Sequence, residues 1–278
     1  MTARSLSGRE LAAGLRAGTA AAAAALTEDG RPPRLTVVTA TDDESSAWYV
    51  RSISSAAGKA GIGCEVEDLG PAATPAAIGL QLAALSADPT VHGIILTTPL
   101  PAGAGLAGLA TGIDPGKDVD GANPASLGRL MTGLPCFAPA TAEAVLALLD
   151  HHQIELSGRH VVVVGRSAVV GKPVAHLLLD RNATVTICHS RTRDLAAITR
   201  QAEVLVVAVG RTGLIGPEHV APGTTVVDVG TNATADGGLA GDVDPGVAEV
   251  AGALTPVPGG VGPVTTALLL RHVIDAAR

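Results

Sequence analysis

Residues 161–173 read VVVVGRSAVVGKP, and this stretch constrains the fold more than any other. Four consecutive valines suit a strand buried on both faces, the condition of a parallel sheet covered by helices. They run straight into Gly165, Ser167 and Gly171, and the apolar run 174–179 reads as a helix. A strand, a tight glycine turn and a helix N-terminus together make a corner suited to phosphate. Glycines let the backbone approach an anion, and the N–H groups of the first helical turn point at it. The pattern is a variant of the dinucleotide fingerprint, with Ser167 in place of its second glycine. It is not a P-loop, because Pro173 stands where a magnesium-binding Ser or Thr is required.

The remainder of the chain repeats the same alternation. Strands are expected over 34–40, 64–69, 91–98, 160–164, 183–188, 203–208 and 224–229. Helices are expected over 46–62, 76–87, 142–152, 173–180, 194–201 and 264–277, the first of them capped by Ser45 or Ser46. Residues 101–137 are rich in Gly and Pro and read as loop with short helical pieces. The β-α-β-α order predicts parallel sheets with helices on their faces. The fold class is therefore α/β, with two α/β domains flanking a cleft. The first domain spans 1–139 and is completed by the last helix, 264–278, which returns to it. The second, 140–263, is a Rossmann-type dinucleotide-binding domain.

Composition narrows the partners. Aromatics are 1% of the 278 residues (Trp48, Tyr49 and Phe137), so the core is built from Val, Leu, Ile and Ala. The net charge of −7, with no basic block, argues against nucleic acid. No apolar run approaches the roughly 18–20 residues of a membrane span, and the start MTARSLSGRE has no signal-peptide core. Three widely spaced cysteines, Cys64, Cys136 and Cys188, fit a reducing cytoplasm better than a disulfide or zinc framework. No metal site is expected. Adjacent His151 and His152 point about 100° apart on a helix, and His176 and His189 read as surface or corner residues.

Chemistry-bearing clusters gather where strands are expected to end: KDVDG (117–121), CHSRT (188–192), VVDVGTN (226–232), GDVD (241–244) and TPVPGGVGP (255–263). Carboxyl ends of strands are where open α/β sheets bind ligands. With GRSAVVGKP, and with SGRELA at 7–12, these clusters match in order and spacing the methylenetetrahydrofolate dehydrogenase/cyclohydrolase family, which the chain resembles over nearly its whole length. The resemblance implies a cytoplasmic homodimer that uses NADP to oxidise 5,10-methylenetetrahydrofolate to the methenyl form. In most members the same cleft then hydrolyses that product to 10-formyltetrahydrofolate.

Residue by residue, the resemblance places the pyrophosphate on Gly165, Ser167 and Gly171. It places the cofactor's 2′-phosphate near Arg166, Ser190 and Arg191, and adds Thr231 to the cofactor site. No acidic residue sits at the tip of that strand (TICHSR) to read a 2′-hydroxyl, which disfavours NAD. Asp120 resembles the carboxylate that grips the pterin, Asp118 reads as structural, and Tyr49 resembles the family tyrosine that stacks on the folate. Pro258, Gly259, Gly260 and Val261 would line the folate end.

The chain also departs from the family pattern. S-x-x-Y-V-x-x-K becomes Ser46-Ala47-Trp48-Tyr49-Val50-Arg51-Ser52-Ile53, so Ile53 occupies the lysine position. V-Q-L-P-L-P becomes Leu96-Thr97-Thr98-Pro99-Leu100-Pro101, so Thr97 stands for the glutamine, and Phe137 stands where P-C-T-P has its cysteine. Hydration of a methenyl cation needs a base for water and an acid for the ring nitrogen, whereas hydride transfer asks mainly for positioning. The expectation is an active dehydrogenase with weak or absent cyclohydrolase activity. The alternatives are a paralogue acting on another iminium or folate adduct, and a folate- or NADP-binding protein without turnover.

Overall fold

A computed structural model describes residues 2–234 and 237–278, apart from the side chain of Ser45. Two compact units divide the chain: one comprises Ala13–Ala140 with Thr266–Arg278, the other the residues up to Ala12 with Thr141–Thr265. The expectation placed residues 1–12 in the first domain. They belong instead to the dinucleotide-type unit, because β1 (Arg4–Ser5) joins its sheet, hydrogen-bonded in parallel beside Ala253 and Leu254. The N–H groups of Leu6 and Gly8 continue that attachment, donating to the carbonyls of Leu254 and Gly259 at 2.9 Å each.

In the Ala13–Ala140 unit, most of α1 (Arg9–Glu28) precedes β2 (Arg34–Thr39), α2 (Glu44–Lys59), β3 (Gly63–Asp68), α3 (Pro75–Ala87) and β4 (Gly93–Leu96). The strands pair in parallel in the order β3-β2-β4. Alternate residues of β2 enter different cores. Leu35 and Val37 pack with Val50, Ile53, Ala57, Leu269, Leu270 and Val273, whereas Val38 packs with Ile78, Leu82, Ile94 and Leu96. A strand apolar on both faces is what a helix-covered parallel sheet requires. Helix α2 starts earlier than expected, and its N-cap is Asp43, whose Oδ1 accepts from the Ser46 N–H at 2.8 Å. The side chain of Ser45, the other expected cap, lies outside the described residues. Two short helices, α4 (Leu106–Ala110) and α5 (Pro124–Met131), interrupt the Gly/Pro-rich stretch.

After α6 (Ala140–His151) the second sheet is built from β5 (His160–Val164), β6 (Thr184–Cys188), β7 (Val204–Val207) and β8 (Thr225–Asp228). A hairpin of β9 (Asn232–Ala233) and β10 (Leu239–Ala240) and then β11 (Ala253–Leu254) follow. Helix α7 (Gly171–Asp180) connects β5 to β6, and α8 (Leu195–Thr199) connects β6 to β7. The order is β1-β11-β8-β7-β5-β6, every pairing parallel. Chain order reverses at β5, between β6 on one side and β7 on the other, which is the topological switch point of a doubly wound sheet. Helix α9 (Val261–Ala276) ends the fold, starting three residues before its expected start at 264.

Candidate functional site

The glycine corner lies at that switch point. Gly165 has φ +133°, and a Cβ there would sit 2.2 Å from the carbonyl oxygen of Ala208, just past β7. A Cβ on Gly171 would sit 2.2 Å from the Gly165 oxygen. Both glycines are thus required by backbone packed on backbone. The first helical turn does not offer its N–H groups as expected. Ser167 Oγ accepts from Val170 N–H at 3.1 Å and Gly171 N–H at 3.3 Å, and Ser167 O accepts from Lys172 N–H at 3.1 Å. The donors still without a protein partner among the described residues are the N–H groups of Arg166 through Val169, one turn earlier. Consecutive N–H groups of this kind form an anion-binding concavity. The cradle therefore fits a pyrophosphate, with Ser167 as its internal brace.

The turn after β6 supplies cations. His189 N–H donates to Thr192 Oγ1 at 2.8 Å, and His189 Nδ1 accepts from Arg191 N–H at 3.1 Å. This staple presents Ser190, Arg191 and Arg193 at the surface, beside exposed Arg166. None of the three arginines has an ion-pair partner among the described residues. His189 is a corner residue, in agreement with the sequence.

Asp228 and Asp242, from VVDVGTN and GDVD, are structural clamps. Asp242 accepts from the N–H groups of Val209, Gly210 and Arg211 and from Asn232 Nδ2, at 2.6–2.9 Å. Asp228 accepts from Gly230, Asp242 and Val243 N–H groups at 2.8–3.0 Å. Together they fix the loops past β7 and β8 and leave Thr231 exposed. The TPVPGGVGP turn is anchored to the N-terminal segment. Its Gly259 has φ +111°, and a Cβ on Gly8 would lie 2.2 Å from the Gly260 oxygen. Pro258 is exposed, whereas Gly259, Gly260 and Val261 are buried.

In the other unit, KDVDG does not follow a strand. It runs beside β4, with an Ile94–Asp118 bridge and the Ile94 N–H donating to Lys117 O at 2.8 Å. Asp118 is buried and accepts from Ala122 and Asn123 N–H groups at 3.1 and 2.7 Å, a structural use. Asp120 is half-buried, and burial together with the neighbouring Asp118 charge pushes its carboxyl up to about 7. Tyr49 is close enough that burial and then the Asp120 charge hold its phenol above the usual range.

The structure does not bring Ile53 or Thr97 to an accessible surface. Ile53 has no exposed area and packs with Leu26, Val37, Ala57 and Leu269. Thr97 is 4% exposed, and its Oγ1 donates to Val38 O at 3.4 Å and accepts from Ser46 Oγ at 3.5 Å. Arg51 and Lys59, the cations nearest in sequence on α2, are both exposed. One buried group escaped sequence reading: His272 on α9, whose ring stacks 5.0 Å from that of Phe137. An isolated His inside the apolar run of that helix was the available signal.

Among the described residues no cluster of His, Cys, Asp or Glu could hold a metal ion, and no helix is long and apolar enough to cross a membrane. Residues 6–120 match the family model of the tetrahydrofolate dehydrogenase/cyclohydrolase catalytic domain, and residues 139–278 match that of its NAD(P)-binding domain. The bifunctional protein FolD 1 of Saccharopolyspora erythraea is 65% identical, over 99% of this chain and 94% of its own. Among solved structures, the bifunctional FolD methylenetetrahydrofolate dehydrogenase/cyclohydrolase of Campylobacter jejuni is similar with a TM-score of 0.94 and 37% identity, covering 98% of this chain and 97% of its own. The Trypanosoma brucei FolD enzyme, complexed with NADP and an inhibitor, has a TM-score of 0.93 and 34% identity, covering 100% and 98%.

Proposed function

Because the chain belongs to the tetrahydrofolate dehydrogenase/cyclohydrolase family, we propose that it oxidises 5,10-methylenetetrahydrofolate with NADP and hydrolyses the methenyl product weakly or not at all. The observation that carries this reading is the family's lysine position filled by fully buried hydrocarbon, Ile53, one helical turn from Tyr49 on α2.

NADP, when bound, supplies the acceptor for the hydride. The chain's part is to bind and align. The Gly165–Gly171 cradle receives the pyrophosphate, and Arg166, Ser190 and Arg191 receive the 2′-phosphate, where a guanidinium offers paired donors. Thr231 lies at the end of the same sheet. Asp120, once ionised, accepts from an adjacent ring N–H and amino group of the pterin. Tyr49 covers a ring face, and Pro258, Gly259, Gly260 and Val261 contribute backbone at the folate end. Held this way, hydride transfer gains from proximity and from exclusion of water.

Hydration of the methenyl product needs more: a group to take a proton from water and one to protonate the leaving nitrogen. Ile53 does neither, and the Thr97 hydroxyl is engaged with Val38 and Ser46. Losing general acid–base help slows such a step by a factor of about 10²–10⁴. The test is to follow methenyl formation and methenyl decay separately. NADP-dependent formation with decay no faster than in buffer supports the reading. Rapid enzyme-dependent decay removes its second half, and NADP and folate binding without turnover identifies a binding protein instead. Family likeness also supports a homodimer, to be checked by light scattering. Three cysteines, none of them in a disulfide among the described residues and two with thiols pushed up by burial, suit a reducing cytoplasm.

A further inference from the structure

We propose that His272 is a positioning residue for Asp120, holding the Val119–Asp120 peptide in place from the last helix. The inference rests on the reading that Asp120 faces the folate.

The geometry begins with one hydrogen bond. His272 Nδ1 lies 2.8 Å from the Val119 carbonyl oxygen. A carbonyl only accepts, so Nδ1 carries the proton and the tautomer is fixed. The ring is 2% exposed, and the Phe137 ring lies 5.0 Å from it at an interplanar angle of 33°. Two segments that flank KDVDG, namely 137–139 and α9, therefore meet on it. On the far side of the loop, Gly121 (φ +65°) packs so that a Cβ would sit 2.5 Å from Pro139 N. Asp118 pins the next two residues through the Ala122 and Asn123 N–H groups. Residues 118 and 121–123 are thus tied down by their own loop and by Pro139, and the peptide between them is tied down by His272.

Lys117, the cation nearest in sequence, spends its ammonium on the carbonyls of Ser86 and Asp88. The direction of the Asp120 carboxylate is therefore set by its backbone, and His272 holds that backbone from outside the loop.

His272→Leu removes the donor, whereas His272→Gln keeps one. The expected result for His272→Leu is a KM for the folate raised at least about fivefold, with kcat within about twofold of the parent and NADP affinity unchanged, and His272→Gln should recover most of that loss. A His272→Leu KM that coincides with the parent enzyme's overturns the proposal, as does a loss that falls equally on kcat and NADP affinity or that Gln does not recover. His272→Phe, read the same way, serves if Leu prevents folding. Asp120→Asn separates the two ideas. If it keeps full kcat/KM, the reading of Asp120 fails. If it is inactive while the His272→Leu KM stays put, the reading stands and only the role of His272 falls.

Discussion

Ile53 and Thr97 are buried for different reasons, and the difference decides what restoring the family residues would do. Ile53 is surrounded by hydrocarbon from α1, α2, β2 and α9. An ammonium in that setting loses hydration without a built partner, at a cost on the order of 3 kcal/mol or more. Its way out is one helical turn back, toward Tyr49 and the Asp120 carboxylate. Ile53→Lys alone is expected to lower the melting temperature by several degrees in the absence of ligand, with little gain in hydrolysis. Ile53→Lys with Thr97→Gln also frees position 97 from its bonds to Val38 and Ser46. Enzyme-dependent methenyl decay should then rise at least about tenfold over the parent. A double variant that folds, oxidises methylenetetrahydrofolate and still fails to hydrolyse would mean that the lysine position is not what limits this step.

Among the elements, those legible in the sequence were the ones with a dense one-dimensional signal. The valine run of β5 falls at its expected limits, and the glycine corner after it was readable because Gly165 and Gly171 answer to backbone clashes. Helix α1 was not legible. Gly14, Gly18 and an alanine run leave no clear apolar stripe, although Leu26 and Ala23 reach the core. Tyr49 and Asp120 were recognisable from their motifs. The sealing of Thr97 was not, because its acceptor, Val38, is 59 residues away. His272 was missed for the same reason, its partner Val119 being 153 residues distant. These contrasts make a paired prediction on glycines. Gly171→Ala would drive a methyl into the Gly165 carbonyl, so it should weaken NADP binding by at least about tenfold, with folate binding unchanged. Gly14→Ala meets nothing within 4 Å in the middle of α1 and should stabilise the protein by about 0.5–1 kcal/mol. Titration calorimetry reads the first and chemical denaturation the second.

At the scale of the molecule, the N-terminal segment is where chain order and architecture disagree. A two-residue strand carries no periodicity, so nothing local announces that Arg4–Ser5 completes a sheet assembled mainly from residues beyond 160. What fixes it there is tertiary. Leu6 has no exposed area, its N–H donates to Leu254 O, and Gly8 lies flat against the 258–260 turn. The turn proposed to serve the folate is therefore braced by a segment more than 240 residues earlier. Leu6→Ala removes most of one buried side chain, a change that costs about 2–4 kcal/mol depending on how far the site collapses. Because β1 is an edge strand, the opening should spread first to its neighbours. Amide hydrogen exchange should accelerate in β11 and in 255–260, and less in β8. Protection in β2, β3 and β4 should be unchanged, since subglobal openings follow contiguous contacts. Loss of protection in the β2–β4 sheet, with β11 unaffected, would assign the N-terminus to the other unit after all. If the turn at 258–260 loosens as expected, KM for the folate should rise while NADP affinity holds, because the Gly165–Gly171 cradle sits three strands away, on β5.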